Sequence, residues 1–383
     1  MAPTSALPNS TLSNVPRLRF PGFEGEWERV PLEALAPHIS SGRSHPSSGS
    51  IPLIGSIGII GQTSNADYKG RIILVARVGA NAGTINYYDG ECGITDNTLI
   101  VKPTNQDIFN CRYVFHYLKF KGLNKYVFGS GQPLITGAML KKLSISYGEE
   151  SEMNKIVSLL DTLDQRISIQ NKTIEDLIRL RTALYSSLFA KGRNISTILS
   201  DMGEYYSTMN LSKDDLSPSG QECILYGELF TTYGRVITEI KSRTNIAISS
   251  GTTLSSSNDL LFPASTTVDA LSLVSPSAIS KNGVILGGDM FGIRLNENYN
   301  NRYMSRLLFH CYRRKLASYA QGSTIIHLHY RDIEKIKIKV HPKIEQDRIA
   351  EALDMLDNRI ELEQKIVKEY SSQKNYLVKM MFI

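Results

Sequence analysis

Between residues 153 and 188, apolar side chains recur in alternating steps of three and four. The frame reads Met153, Ile156, Leu160, Leu163, Ile167, Gln170, Ile174, Leu177, Arg181, Leu184 and Leu188. A shift of 193 residues gives Gln346, Ile349, Leu353, Leu356, Ile360, Glu363, Val367, Tyr370, Lys374, Leu377 and Met381. Each series is a heptad seam held over about five heptads, the signature of a coiled coil. At 1.5 Å per residue each seam is about 53 Å long. The polar interruptions fall at matched places, Gln170 with Glu363 and Arg181 with Lys374. Polar residues on a seam lower stability but fix register and partner. The two helices are therefore expected to pack on each other.

The seam belongs to a larger repeat. Residues 160–167 read LDTLDQRI and residues 353–360 read LDMLDNRI, identical at six of eight positions. FNCRY at 109–113 resembles YNNRY at 299–303, and Leu143-Ser144-Ile145 matches Ile336-Lys337-Ile338. Weaker pairs are Val30-Pro31-Leu32 with Ile224-Leu225-Tyr226, and the segment around Gly131 with that around Gly322. The chain thus reads as two copies of one unit of roughly 190 residues, and a repeat of this kind governs the whole fold. In each copy a mixed α/β globular part precedes the long helix. Strand patterns run over Arg71–Val78, Thr98–Val101, Leu143–Tyr147, Gly283–Gly287 and Ile336–Val340. Helices are expected at Cys111–Phe120 and Asn301–Lys315. The boundaries read as a loose polar tail over 1–16, a first globular part over 17–148 and a first long helix over 149–191. A linker over 192–220, marked by Ser217-Pro218-Ser219-Gly220, leads to a second globular part over 221–342 and a second long helix over 343–383.

Composition narrows the class without fixing it. The chain has 383 residues, enough for two or three domains, with a net charge of +6 that permits an acidic partner such as nucleic acid. No apolar run reaches about 18 residues, so no membrane span is expected. The four cysteines, Cys92, Cys111, Cys223 and Cys311, form no CxxC pair, which suits a reduced, cytoplasmic protein. The sequence lacks a GxxxxGK[ST] phosphate loop, HExxH, GxSxG and any Cys/His cluster at zinc spacing. Phe128-Gly129-Ser130-Gly131 is superficially like the cofactor loop of adenosylmethionine-dependent methyltransferases, but Pro133 follows where a helix should begin. His327 and His329 could share a strand face, yet no third metal ligand lies near in sequence, and ordinary surface side chains are the simpler reading.

The globular parts offer instead polar loops rich in small residues. Glycine lets backbone approach a ligand, and Arg, Gln, Asn, Ser and Thr read phosphates and base edges. In the first copy the candidates are Ser41, Arg43, Gln62, Thr63, Arg77, Asn81, Asp96, Asn97, Ser130 and Gln132. In the second they are Arg235, Lys241, Arg243, Thr266, Thr267, Arg313, Arg314, Gln321, Ser323 and Thr324. Each stretch alone is an ordinary turn. Their recurrence at corresponding places, in loops that diverge while the helices stay alike, suggests two related readers of different short sequences.

The cues RLRFPGFEGEWERVPLEAL at 17–35, GSGQPLITGAMLKKLSIS at 129–146, AQGSTIIHLHYRDIEKIKIKV at 320–340 and the two LDxLDxRI helices carry a family resemblance across essentially the whole chain. The sequence resembles the specificity subunit of type I restriction–modification systems. The resemblance implies two target recognition domains, each reading one half of a bipartite, asymmetric site in double-stranded DNA. It implies that the long helices pair antiparallel, set the unread gap and dock two modification (methyltransferase) subunits. It implies restriction (translocase/nuclease) subunits as further partners. Adenosylmethionine, ATP and magnesium would sit on those partners, and this chain would bind no cofactor and catalyse nothing. The alternatives are a recognition subunit of a related methylation-based phage-defence system, an enzyme using the FGSG stretch, or a coiled-coil scaffold that touches no DNA.

Overall fold

The computed structural model describes residues 14–104, 108–127 and 133–383. Most of the tail expected over 1–16 therefore lies outside the described residues. The chain divides into two compact units, residues 1–172 with 364–383, and residues 173–363. The boundary cuts both long helices, Glu150–Leu188 and Lys343–Met381, so each unit owns the start of one and the end of the other.

The first unit holds strands β1 (Glu28–Pro31), β2 (His38–Ser41), β3 (Ile51–Gly55), β4 (Gly58–Thr63), β5 (Tyr68–Ala76), β6 (Ile85–Ile94), β7 (Thr98–Lys102) and β8 (Ser144–Tyr147). β1 pairs antiparallel with β8, and the main sheet runs β2-β7-β5-β6-β3-β4. The inner strands β5 and β7 are apolar along most of their length because the sheet covers the helix Ile108–Lys121. The core packs Ile73, Val75, Leu99 and Val101 of the sheet against Tyr113, Val114, Tyr117 and Leu118 of that helix. Ile156 and Leu160 of the first long helix and Phe382 after the second complete it.

The second unit holds β9 (Ile195–Ile198), β10 (Gly203–Ser207), β11 (Leu216–Leu225), β12 (Val236–Ile237), β13 (Ser242–Thr244), β14 (Asp259–Pro263) and β15 (Ser265–Thr266). β16 (Ser277–Ile279), β17 (Ile285–Gly287), β18 (Met290–Leu295), β19 (Ile326–His327) and β20 (Lys337–Val340) follow. Its main sheet runs β10-β18-β14-β16-β12. Position by position this is the order of the first unit. Three antiparallel contacts and a final parallel one recur, β3 on β6 and β12 on β16. β4 is an addition of the first unit, and the three-stranded sheet β13-β11-β17 an addition of the second.

Three expectations need correction. The stretch 192–220 is not a linker, because β9 pairs with β20 and β10 with β18 inside the second unit. Its polarity reflects strands with one solvated face. The repeat therefore starts at β9, and the match of Val30–Leu32 with Ile224–Tyr226 is wrong. Leu32 donates its N–H to the Leu143 carbonyl at 2.7 Å, and Leu199 donates to Ile336 at 3.2 Å, so Leu199 is the counterpart of Leu32. The true offset is 167 residues there and 193 at Leu143, so the second copy is 26 residues longer within this span. Finally, the helix expected over 301–315 is broken. Asn301–Leu307 and Arg313–Ala317 flank a π turn over Leu308–Tyr312, a feature that often marks functional sites. Among the described residues no helix is long and apolar enough to cross a membrane. All four cysteines are free thiols, and only Cys311 is exposed.

Candidate nucleic-acid interface

In the first unit the register brings three strand ends together. Ser41 at the end of β2 faces Leu99, and Ala76 at the end of β5 faces Thr98 at the start of β7. Gly42 donates to the Thr98 carbonyl at 3.1 Å, Arg77 to Asn97 at 2.9 Å and Ser44 to Ile94 at 2.9 Å. Gly42 is obligatory here, since a Cβ would stand 2.1 Å from the Ile94 carbonyl oxygen. The loop is pinned further by Asp67, which accepts from Ser44 Oγ at 2.7 Å and from the Ile94 N–H at 3.1 Å. Burial pushes the Asp67 carboxyl up. Hydrogen bonds from Ser44 and from the backbone of Ile94, Arg43 and Ser44 outweigh it and hold the group below its ordinary value. Ser41, Arg43, Arg77, Asp96 and Asn97 thus gather at one end of the sheet, with Arg43, Asp96 and Asn97 exposed. Arg77 is half-buried, and its Nε has no hydrogen-bond partner among the described residues. Asn81 is exposed in the turn after Gly79, and Gln62 is exposed on the edge strand β4. Thr63 is a correction: its side chain is buried against Gly93 and serves packing. Ser130 and Gln132, with the FGSG stretch, lie outside the described residues.

The second unit builds its loop end at the corresponding place. Leu328 donates to the Ala264 carbonyl at 2.9 Å, as Ile135 does to the Arg77 carbonyl at 2.9 Å. β15 pairs with β19, and Gln321 and His327 exchange backbone hydrogen bonds at 2.9 and 2.7 Å to close a short loop. Gly322 turns that loop at φ +117°, a conformation open to glycine. Thr267, Gln321, Ser323 and Thr324 are exposed around it, whereas Thr266 is buried and accepts from the Val268 N–H at 3.2 Å. Lys241 and Arg243 belong elsewhere, on and beside β13. Lys241 is ion-paired with Glu239, and Arg243 donates to the Gly220 carbonyl at 3.0 Å.

Arg235 is a second correction. It donates to the Pro276 carbonyl at 2.8 Å and to Ser275 Oγ at 2.5 Å, and it stacks on Phe309. Burial, aided by Arg313, pulls its guanidinium down to about 10. Two of its five N–H donors and its ring stacking are thus committed to the fold, which makes it first a structural cation. Arg313 shares the Phe309 ring and donates to the Leu271 carbonyl at 2.8 Å, while Arg314 is exposed. His327 and His329 stack with ring centroids 5.8 Å apart, but no group of three metal-ligating side chains exists among the described residues.

The residues of the expected helix seam fall on the covered faces of the two long helices. Ile156, Leu160, Leu163, Ile349, Leu353 and Ile360 are buried. Ile167, Ile174, Leu177, Leu184, Leu356, Val367, Tyr370 and Leu377 are half-buried, as on a two-helix seam. In the first unit Lys374 Nζ reaches Asp164 at 2.5 Å and Arg166 meets Tyr370, so the helices run antiparallel. In the second unit Arg181 reaches Asp357 at 2.9 Å. The matched seam cations, Arg181 and Lys374, therefore each take the second aspartate of an LDxLDxRI motif. The first aspartate has its own partner: Arg112 binds Asp161 and Arg302 binds Asp354. These roles were missed in the sequence, although the identity of both motifs at constant offsets was their signal.

Two like frames, each a sheet packed on a helix and carrying variable loops at one sheet end, define a modular recognition protein. The family model described as type I restriction modification DNA specificity domain matches residues 33–179 and again residues 199–369. The chain belongs to that family. A Methanocaldococcus jannaschii type I restriction enzyme specificity subunit is 22% identical over 81% of this chain and 77% of its own length. A Haemophilus influenzae protein, provisionally named a specificity subunit of the same kind, is 23% identical over 88% of each chain. The crystal structure of a type I restriction–modification S subunit from M. genitalium shares the fold. Its TM-score is 0.70 at 15% identity, covering 96% of this chain and 99% of that one.

Proposed function

We propose that this chain is the DNA-reading subunit of a type I restriction–modification complex, with each unit contacting one half of a bipartite, asymmetric site. The first half-site meets Ser41, Arg43, Arg77, Asn81, Asp96 and Asn97, with Gln62 beside them. The second meets Thr267, Gln321, Ser323 and Thr324. The antiparallel helices set the unread gap and dock two modification subunits. Those partners hold adenosylmethionine and methylate adenine. Restriction subunits hold ATP and magnesium and translocate and cut the DNA. The chain itself works in the cytoplasm as a non-catalytic organiser.

One observation carries this reading. The same five-strand frame occurs twice, and the chain lengths differ mainly in what it presents at its strand ends. A scaffold gains nothing from two divergent sets of polar loops, whereas a reader of two different half-sites requires them. The test is methylome sequencing of a host that expresses the modification partner, with and without this chain. A two-part adenine-methylated motif that disappears on deletion is the expected result. An unchanged methylome, with partner expression verified, overturns the proposal.

A further inference from the structure

β20 carries a feature that the first unit lacks. From Lys335 to Val340 exposure alternates strictly, with Lys335, Lys337 and Lys339 facing solvent and Ile336, Ile338 and Val340 in the core. The apolar half of this pattern holds the strand against the second unit's core, and that fixes Lys337 and Lys339 on the opposite face, with Lys335 exposed just before the strand. Lys337 and Lys339 repeat at roughly 6.6 Å, two residues of extended chain, and Lys335 stands in the turn that leads into the strand. None of the three makes an ion pair among the described residues. The strand paired with β20 is Ile195-Ser196-Thr197-Ile198, which has no carboxylate. A second basic segment lies alongside. Tyr312 Oη accepts the Lys339 N–H at 2.7 Å and Lys315 Nζ donates to the Lys337 carbonyl at 3.4 Å, with exposed Arg314 between them in sequence. The nearest carboxylates in sequence, Asp332 and Glu334, precede the row rather than interrupt it. The matched strand β8 of the first unit reads Ser144-Ile145-Ser146-Tyr147, with no lysine, so the contrast lies at Lys337 and Lys339, whereas Lys335 has a basic counterpart in Lys142.

We infer that Lys335, Lys337 and Lys339, with Lys315, form a phosphate-gripping row on the second unit that holds the DNA backbone without reading its sequence. An uncompensated group of flexible cations on one face suits a polyanion. Lysine is a point charge without the planar fork that reads guanine, so the row is expected to position DNA rather than to select it. The asymmetry makes the second half-site the more salt-dependent one. This inference rests on the proposed DNA-reading function.

The experiment uses the full chain co-purified with its modification partners, on duplexes bearing the methylome-derived motif. In the double variant Lys337→Ser, Lys339→Ser the second unit acquires the residues of the first at these positions. The dependence of log affinity on log salt is expected to become shallower by about 1.8, since each lost phosphate contact removes about 0.9. The advantage of the wild type then shrinks about tenfold between 50 and 200 mM salt. The methylated motif stays the same, and Lys337→Arg, Lys339→Arg keeps the wild-type slope and shows that the strand still folds. An unchanged slope overturns the row, as does a changed motif or a loss of modification subunits at unchanged slope. If the wild-type complex itself shows no preference for the motif, the DNA-reading function fails together with it.

Discussion

The two units solve one packing problem with different charges. In both, a helix under the sheet is latched to a long helix by an arginine and by the residue four positions on. In the first unit Arg112 and His116 converge on Asp161, with His116 Nε2 at 2.7 Å. In the second, Arg302 and Arg306 converge on Asp354, and Arg306 also reaches Asp357, both at 2.7 Å. His116 and Arg306 are equally hidden, at 2% and 1% exposure. Burial pulls the His116 pKa down against the pull of Asp161, whereas Asp354 and Asp357 overcome burial and raise that of Arg306. A neutral imidazole needs one acceptor; a buried guanidinium needs a cluster of carboxylates. The frame is shared, but the second unit depends more heavily on its charges.

The aromatic anchor is the part that should not differ. Phe382 meets Tyr113 edge-on at 5.6 Å, and Phe189 meets Tyr303 edge-on at 5.6 Å. Phe382→Ala and Phe189→Ala should each cost their own unit about 3–5 kcal/mol of local stability. Native-state hydrogen exchange would measure this on the helix under each sheet, and a large inequality would break the equivalence.

Removing the latch carboxylates should separate the units. Asp354→Asn leaves Arg306 buried with half its compensation and is expected to cost about 3 kcal/mol. Asp161→Asn leaves a half-exposed Arg112 and a neutral histidine, with an expected cost of about 1 kcal/mol. Urea-dependent exchange of the two helices gives both numbers.

The smallest effect is with pH. His116 in the first unit and His310 in the second are both held below their ordinary value. Burial is the main cause for each, and Arg235, Arg181 and Arg306 help bring His310 to about 4. A histidine that binds its proton more weakly when folded leaves the unfolded chain holding more protons below about pH 6.5. Its stabilisation is whole above that pH and is lost as pH falls toward the folded value. For the second unit the window runs from about 6.5 down to about 4. His310 stacks on Tyr185 at 3.7 Å and stands where the first unit has Phe120. His310→Phe should flatten the acid sensitivity of the second unit and leave that of the first. Melting temperatures between pH 7.5 and 4.5 would show it.

Much of the frame is legible in the sequence alone. Ile156 to Leu184 and Ile349 to Leu377 revealed the seam because a helix has one period and the core only one side. LDxLDxRI was legible as a repeat, but its chemistry was not. Arg112 lies 49 residues from Asp161 and Arg181 lies 176 from Asp357, and no local pattern joins them. Arg235 failed as a candidate for the same reason. A loop arginine beside glycine looks free, and only folding brings Pro276, Ser275 and Phe309 around it. The assumed linker failed because a strand that pairs at a sheet edge needs little hydrophobicity of its own.

The sequence by itself determined that one unit occurs twice, where its helices lie and which face of each is apolar, since periodicity is a property of consecutive residues. It also placed the polar loops. Tertiary structure alone decided which loop ends meet, through the register of β2, β5 and β7 and of β15 with β19. It decided which charges are spent on the fold, as at Arg235 and Arg306, and which stay free, as along β20. Hydrogen-bond register and burial depend on residues far apart in the chain, and they become defined only when those residues come together.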